Sequence, residues 1–556
     1  MNLMAHNQRW LLAAAAAVSL LTACGGSGIG SGGTGAAAYG LAVGTVEGFG
    51  SIFIGGERCD DLHARVSYDT VPGGPEPTNP EIRLGQRIEA DLDTAASTCR
   101  ILAARIAPEI VGVVDSTAPL TVAGTPVLVN TDPALGPVTV FDGYDNAADI
   151  QAGDRVEVHG KAVPAASGVA IRATRIERKP TSDTWVRVAG VIQNLSSTQF
   201  TLGGLTVNYR GTTTLVPAGV TLQNGQTVAM WSTGAVVNNI VTARFIRVLR
   251  RHFADGLHVR LAGPVSGCGS TSPCSEPVID GVTVQITATT NFLRGTPADV
   301  ADGVALAVGG TFDATSGKLV ADNVLVRRSD PDRGLVTLIG AVSEYASAGG
   351  DTHFLVRGVP VTTDGSTTFE AGCSIGDGQV VAIAGHISGS AVLASRVACP
   401  PLAVGLVVDA YGSITDLNTA DKAFKLAGRP LLSLFTLVWD DDTIFSNGAT
   451  PQNLANGQYA GLRAVYLGSG RFLLKRVVLD DTPPPSPVPG ALVFGTWGIA
   501  HHMTANSLIV NRISMTIDAG SDIDPGVVNG SVVRAWFYRD VPNQRWVALR
   551  VRPVAW

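Results

Sequence analysis

Three observations predict an all-β chain, a tandem array of about seven small five-stranded OB-like barrels or sheets. Short β-branched runs are separated by Gly, Pro, Asn and Asp turns, and one order of runs and turns recurs in units of roughly 65–78 residues. The composition agrees: 65 Gly and 30 Pro serve many reversals, while 45% hydrophobic residues against 15% charged exclude a disordered chain.

The units are expected at 41–109, 110–179, 185–250, 257–328, 334–399, 403–480 and 489–556. A Pro-rich, extended joint (Thr482-Pro-Pro-Pro-Ser-Pro487) precedes the last. Each opens with a strand carrying a glycine, as in Val43-Gly-Thr-Val46 and Ile339-Gly-Ala-Val342. Second and third strands follow around a turn, as in Phe200-Thr-Leu-Gly-Gly-Leu-Thr-Val207, where alternation sets apolar side chains on one face. A polar stretch then closes on Leu84-Gly85, Ala152-Gly153, Asn224-Gly225, Asp302-Gly303, Asp377-Gly378, Asn456-Gly457 or Asn529-Gly530, pairs suited to positive φ and tight reversal. A fourth strand (Arg155-Val-Glu-Val-His159) and a fifth (Ile171-Arg-Ala-Thr-Arg-Ile176) complete the unit. Five strands with a longer connection between the third and fourth suit a partly open OB-like barrel; a flat antiparallel sheet packed on its neighbour is the alternative.

Ahead of these units, residues 11–21 are apolar apart from Ser19, a run too short to span a membrane and suited to a secretory signal, 1–23. Leu21-Thr-Ala-Cys24 resembles the bacterial lipobox. That resemblance implies cleavage before Cys24, acylation of Cys24 and stable membrane anchoring. Gly25 in place of Asp points to the outer membrane, at its periplasmic or surface face. Residues 24–40 are a Gly/Ser-rich tether. Six further cysteines fall in pairs inside single units: Cys59 with Cys99, Cys268 with Cys274, Cys373 with Cys399. Disulfides are expected from compartment and spacing, since the C-x-x-C pairs of a zinc site are missing.

The stretch Gly44-Thr-Val-Glu-Gly-Phe-Gly-Ser-Ile-Phe-Ile54, the Leu-x-x-Gly-x-x-Val turn and the Leu-x-Ala-x-x-Ile ending are similar to a bacterial envelope family, domain-of-unknown-function family 5666. The similarity is fullest in the first two units and extends to the third and fifth; the fourth unit is the least regular. It implies a small β-barrel, often in tandem on lipoproteins. No active site comes with it.

Few residues carry a chemical signature. Gly28-Ile-Gly-Ser-Gly-Gly33 matches a dinucleotide fingerprint in letters only, because a tether supplies neither the preceding strand nor the following helix. His501-His502 is the one adjacent histidine pair, and strand neighbours point to opposite faces, so a solvated loop is expected. His252 and His258 flank a joint between units and suit a wet interface. Asp440-Asp441-Asp442 lacks the alternating ligands of a calcium loop and reads as a solvated turn. Trp536-Phe537-Tyr538 is the best candidate for a stacking platform, although alternation would bury Trp536 with Tyr538 or Phe537 alone. No catalytic, cofactor-binding or metal-binding residue is assigned.

A net charge of −6 argues against nucleic acid as a partner. The expected protein is therefore a non-enzymatic envelope lipoprotein, a scaffold or binding array held to the membrane by its N-terminal lipid, with an envelope protein or glycan as partner. A multivalent glycan- or peptide-binding array acting through avidity is the second expectation. An enzyme whose residues meet at a junction between units is the third.

Overall fold

The computed structural model describes residues 40–554, apart from 50–51, 55–56, 62–63, 75–76, 78–79, 94–98, 166–167, 250–252, 254, 327–334, 349–350, 428–434, 447 and 490. The expected signal, Cys24 and the tether up to residue 39 lie outside the described residues. Within them, short 3₁₀ turns are the only helices, and no helix is long and apolar enough to cross a membrane.

The fold is all-β, built from seven small barrels in chain order. The fifth shows the pattern plainly. Its opening strand Leu335–Ala348 pairs antiparallel with Asp351–Val356 and with the fourth strand Val380–Ser388. The third strand Val359–Thr363 closes the ring by pairing parallel with the fifth, Ala391–Ala398. Strand order 1-2-3-5-4-1 is that of an OB barrel, and it excludes the flat-sheet alternative. The same parallel closure joins Val127 to Ile171, Val207 to Val241, Val284 to Leu319, Leu437 to Phe472 and Met515 to Trp546. In the first barrel it is reduced to one bridge between Asp60 and Arg100.

One element went unread in the sequence. The connection between third and fourth strands holds a short additional strand, such as Arg65–Tyr68 or Ile444–Ser446, lying parallel against the fifth. A hydroxyl just ahead of it or within it pins it. Thr139, Thr213, Thr290, Thr367, Thr443 and Ser521 each donate to a carbonyl oxygen of the fifth strand at 2.6–2.8 Å, and Ser67 does so at 3.5 Å.

The turn before the fourth strand is the most uniform part of the repeat. Gly85, Gly153, Gly225, Gly303, Gly378, Gly457 and Gly530 all have φ between 82° and 91°, a region that costs an L side chain energy. Each donates its N–H to an opening-strand carbonyl oxygen at 2.8–2.9 Å: Val46, Val114, Ile192, Val265, Val342, Ile414 and Ala500 in turn. Asn224, Asp302, Asp377, Asn456 and Asn529 also accept, through a side-chain oxygen, an N–H three residues beyond that carbonyl. The Asn-Gly and Asp-Gly pairs thus bring both a left-handed glycine and a side-chain cap.

The barrels touch others far from them in sequence. Leu41–Gly48 pairs parallel with the fourth barrel's His258–Ser266, and Phe49 bridges to Leu338 of the fifth. Val186–Gln193 pairs with Ile110–Thr117. Opening and fourth strands are consequently covered on both faces, inward by their own core and outward by a neighbour. Arg155–Ala165 and Val532–Asp540 are buried almost continuously where alternation alone would leave every second residue wet. Apolar clusters follow the same grouping. The first and fifth barrels share one and the second and third another, while those of the fourth, sixth and seventh each take in one buried residue from elsewhere, Val43, Ala341 and Ala346 in turn.

Candidate functional site

Outward positions of the opening and fourth strands carry Arg, Glu and His, and the junctions gather them. Between the first three barrels, Lys179 Nζ lies 3.0 Å from both Glu157 Oε2 and Glu177 Oε1. His159 Nε2 donates to Glu157 Oε1 at 2.8 Å, and its Nδ1 accepts the Arg87 backbone N–H at 3.3 Å, which fixes the tautomer. Arg175 holds Glu177 through Nε at 3.1 Å and Nη2 at 2.9 Å. The Arg87 guanidinium, 2% exposed, reaches Glu89, Glu109 and Asp280 at 2.8–3.2 Å, and Lys161 shares Asp280 at 3.2 Å. Buried Asp69 receives Arg187 and Arg247 of the third barrel, and both guanidinium groups lie over the Trp231 ring at 5.3 and 5.1 Å.

These groups edge a cleft of about 600 Å³, lined by Tyr68, Lys179, Trp185, Arg187 and Trp231 among others. A second cleft, about 520 Å³, lies where the sixth and seventh barrels meet Glu81 of the first. There Arg463 makes two bonds to Asp409, at 2.7 and 3.2 Å, and Arg476 contacts Glu81. Arg534 binds Glu344 at 2.9 Å and Asp480 at 3.0 Å, with its guanidinium over Trp536 at 3.9 Å and Tyr411 at 4.5 Å.

Charge at these junctions is locked. Burial works against the Glu157 carboxylate, yet Lys179 and His159 bring it down to about 2. Glu177 is likewise held well below the carboxylate range, against burial, by Lys179 and Arg175. The same opposition, resolved by arginines, lowers Asp69 and Glu81. Lys179 is raised despite burial by its two glutamates, and burial raises Tyr68 and Tyr411. Asp480 alone among these acids is raised, because burial outweighs Arg534. Asp480 apart, these carboxylates are shifted down and Lys179, Tyr68 and Tyr411 up, so each keeps its ordinary charge state at neutral pH.

The residues singled out in the sequence fall as follows. Cys59–Cys99, Cys268–Cys274 and Cys373–Cys399 are disulfides with Cα atoms 4.6, 5.5 and 5.3 Å apart. Asp440–Asp442 forms an exposed turn in which Asp440 accepts from Asp442 N–H and the Thr443 hydroxyl, and Asp441 meets Lys422 at 2.7 Å. His258 sits half-buried, 3.9 Å from Asp322. Cys24, Gly28–Gly33 and His252 lie outside the described residues. Trp536, Phe537 and Tyr538 are all buried, so the expected alternation fails there. Phe537 enters the barrel core while Trp536 turns outward against Tyr459 across the joint with the sixth barrel. Nor do His501 and His502 point apart. His502 takes a left-handed φ of 48°, which ends the strand and sets the two rings 5.3 Å apart beside Asp145 of the second barrel. The junction charges went unassigned in the sequence; their only signal is the alternation Arg155-Val-Glu-Val-His159, which reads equally as a solvated face.

The outward faces of second and third strands carry Thr121, Gln199, Thr201, Thr206, Thr283 and Thr516. Among the described residues no aromatic side chain recurs on them at equivalent positions.

The family model described as Domain of unknown function (DUF5666) matches four tandem stretches, 111–177, 189–247, 262–324 and 339–398. The matches begin after the first barrel, where the sequence resemblance looked fullest, and include the fourth, which looked least regular. No curated protein matches the chain. A solved structure titled "drosophila Unr CSD456" is similar at 12% identity over 39% of this chain and 97% of that one; its TM-score of 0.10 is too low for anything to carry over.

Proposed function

From a chain that carries tandem DUF5666 modules, we propose a non-enzymatic cell-envelope lipoprotein, a scaffold or binding array of OB-like barrels. The observation that carries this reading is the use made of the polar residues. Junction charges are consumed in ion pairs, among them Arg87–Asp280, Arg187–Asp69 and Arg534–Glu344 between barrels, so chemistry that could serve catalysis serves assembly. What remains for recognition is the two clefts and the Thr-rich outer faces of the second and third strands. The lipobox resemblance at Leu21–Cys24 and three disulfides support export to an oxidising compartment with a lipid anchor on Cys24, and Gly25 favours the outer membrane. A partner is an envelope protein or a glycan. A multivalent glycan- or peptide-binding array is the second reading, and the Thr-bearing outer faces of the second and third strands are where a polar patch shared between barrels would lie.

Fractionation and cross-linking test the proposal together. Cys24→Ser should move the protein out of the membrane fraction, and cross-linking of the anchored chain should trap a defined envelope partner. A purified chain that turns over an envelope substrate, and loses turnover on one point substitution in a cleft, would overturn it.

A further inference from the structure

The geometry points to a zinc-class divalent metal site at the junction of the second and seventh barrels, made by His501, His502 and Asp145. The donors come from two modules, with His501 and Asp145 separated by 356 residues. Their ligand atoms all lie within 4.8 Å of one another. Ligands on a tetrahedral zinc are about 3.4 Å apart, given bonds of about 2.0–2.1 Å. His502, 46% exposed at its side chain, has room to close that difference.

The second observation is the placing of the buried ring. His501, 2% exposed at its side chain, has Nδ1 3.3 Å from the Ile499 carbonyl oxygen and Nε2 3.4 Å from Asp145 Oδ1. A neutral imidazole has one N–H. If Nδ1–H donates to Ile499, the Nε2 lone pair faces a carboxylate; with the other tautomer, the Nδ1 lone pair faces a carbonyl. Either a metal ion at Nε2 or the second N–H of an imidazolium satisfies both sides; the metal is favoured where the His502 ring also converges, and an Nδ1–H bonded to a backbone carbonyl is the usual support of a metal-binding histidine.

Asp145 is also held in place. Asp149 Oδ2 accepts the N–H groups of Asp145 at 2.9 Å and Asn146 at 3.1 Å, and lies 3.8 Å from His502 Nε2. Arg512, whose charge also reaches Asp145, donates to the Ser388 carbonyl at 2.5 Å. Two imidazoles and a carboxylate select zinc, cobalt or nickel over calcium and magnesium, and three protein donors leave a coordination position for water or an incoming ligand.

Isothermal titration of Zn²⁺ into the purified, EDTA-stripped protein tests the site, with thermal unfolding as a second readout. One equivalent should bind the wild-type chain and raise its Tm, because the ion clamps two barrels together. His502→Ala and Asp145→Asn should each weaken that equivalent at least tenfold and abolish the rise in Tm, with the metal-free Tm of the exposed His502→Ala variant near wild type. Failure of the wild type to bind Zn²⁺, or undiminished binding in both variants, would overturn the assignment.

Discussion

The Thr174 hydroxyl donates to the carbonyl oxygen of Gly85 at 2.6 Å, so the turn that closes the first barrel is also a contact with the second. At Gly153, Gly225 and Gly457 an added Cβ would meet nothing within 4 Å, which separates two ways in which the turn glycine matters. Gly153→Ala is limited to the strain of a left-handed alanine, about 1 kcal/mol. At Gly85 the same carbon would lie 2.5 Å from the Thr174 carbonyl oxygen. Chemical denaturation of the two variants should show Gly85→Ala the more destabilised; equal losses would mean that the junction does not form as described.

Lys179 neutralises two buried carboxylates at once. Lys179→Met leaves Glu157 and Glu177 facing each other without it, and removing one member of a buried pair costs about 3–5 kcal/mol. Adding Glu157→Gln should recover part of the loss. A double-mutant cycle on Tm and denaturation midpoint measures the coupling, and simple additivity would contradict the contact.

Acid should weaken both the second barrel, through Glu157 and Glu177, and the junctions made by Asp69 and Glu81. Glu157, Glu177, Glu81 and Asp69 have folded pKa values below their unfolded ones, so their stabilisation is present above about pH 4.5 and is lost as pH falls through the folded values, near 2 for Glu157. Asp480 has the opposite sign. Its raised pKa favours the protonated folded form, so Asp480→Asn should stabilise at neutral pH more than in acid, provided Arg534 keeps Glu344. Tm followed from pH 7 to pH 2, with scattering to report separation of barrels, checks both signs.

The disulfides differ in the loop they close. Cys59–Cys99 spans 40 residues and Cys268–Cys274 spans 6. Chain entropy assigns them about 4 and about 2 kcal/mol. Paired Cys→Ser replacements compared by denaturation should follow that order, and a reversed order would show that the unfolded chain is not the main point of action.

How far the sequence revealed this arrangement depends on range. Local rules sufficed for the turn glycines, the order of five strands and the cysteine pairs, because each rests on neighbours within one unit. The short extra strand escaped notice because a run as short as Thr368–Phe369, or at most the four residues of Arg65–Tyr68, is too brief to show a period. The junctions escaped for a different reason: Arg534 meets Glu344, and His501 meets Asp145, across distances in sequence that no local period encodes. The Trp536–Tyr538 alternation failed at a bulge between Trp536 and Phe537, and the histidine pair converged through one left-handed residue.

Pairing between distant barrels has a consequence for biogenesis. Leu41 finds its strand partner at Val259, Phe49 at Leu338, and Glu81 meets Arg476 395 residues later. A polypeptide that emerges N-terminus first must therefore carry its earliest barrel, with an unsatisfied edge, until most of the remaining chain has arrived. Truncation from the C-terminus should for that reason harm the oldest part of the molecule as well as the end that is cut.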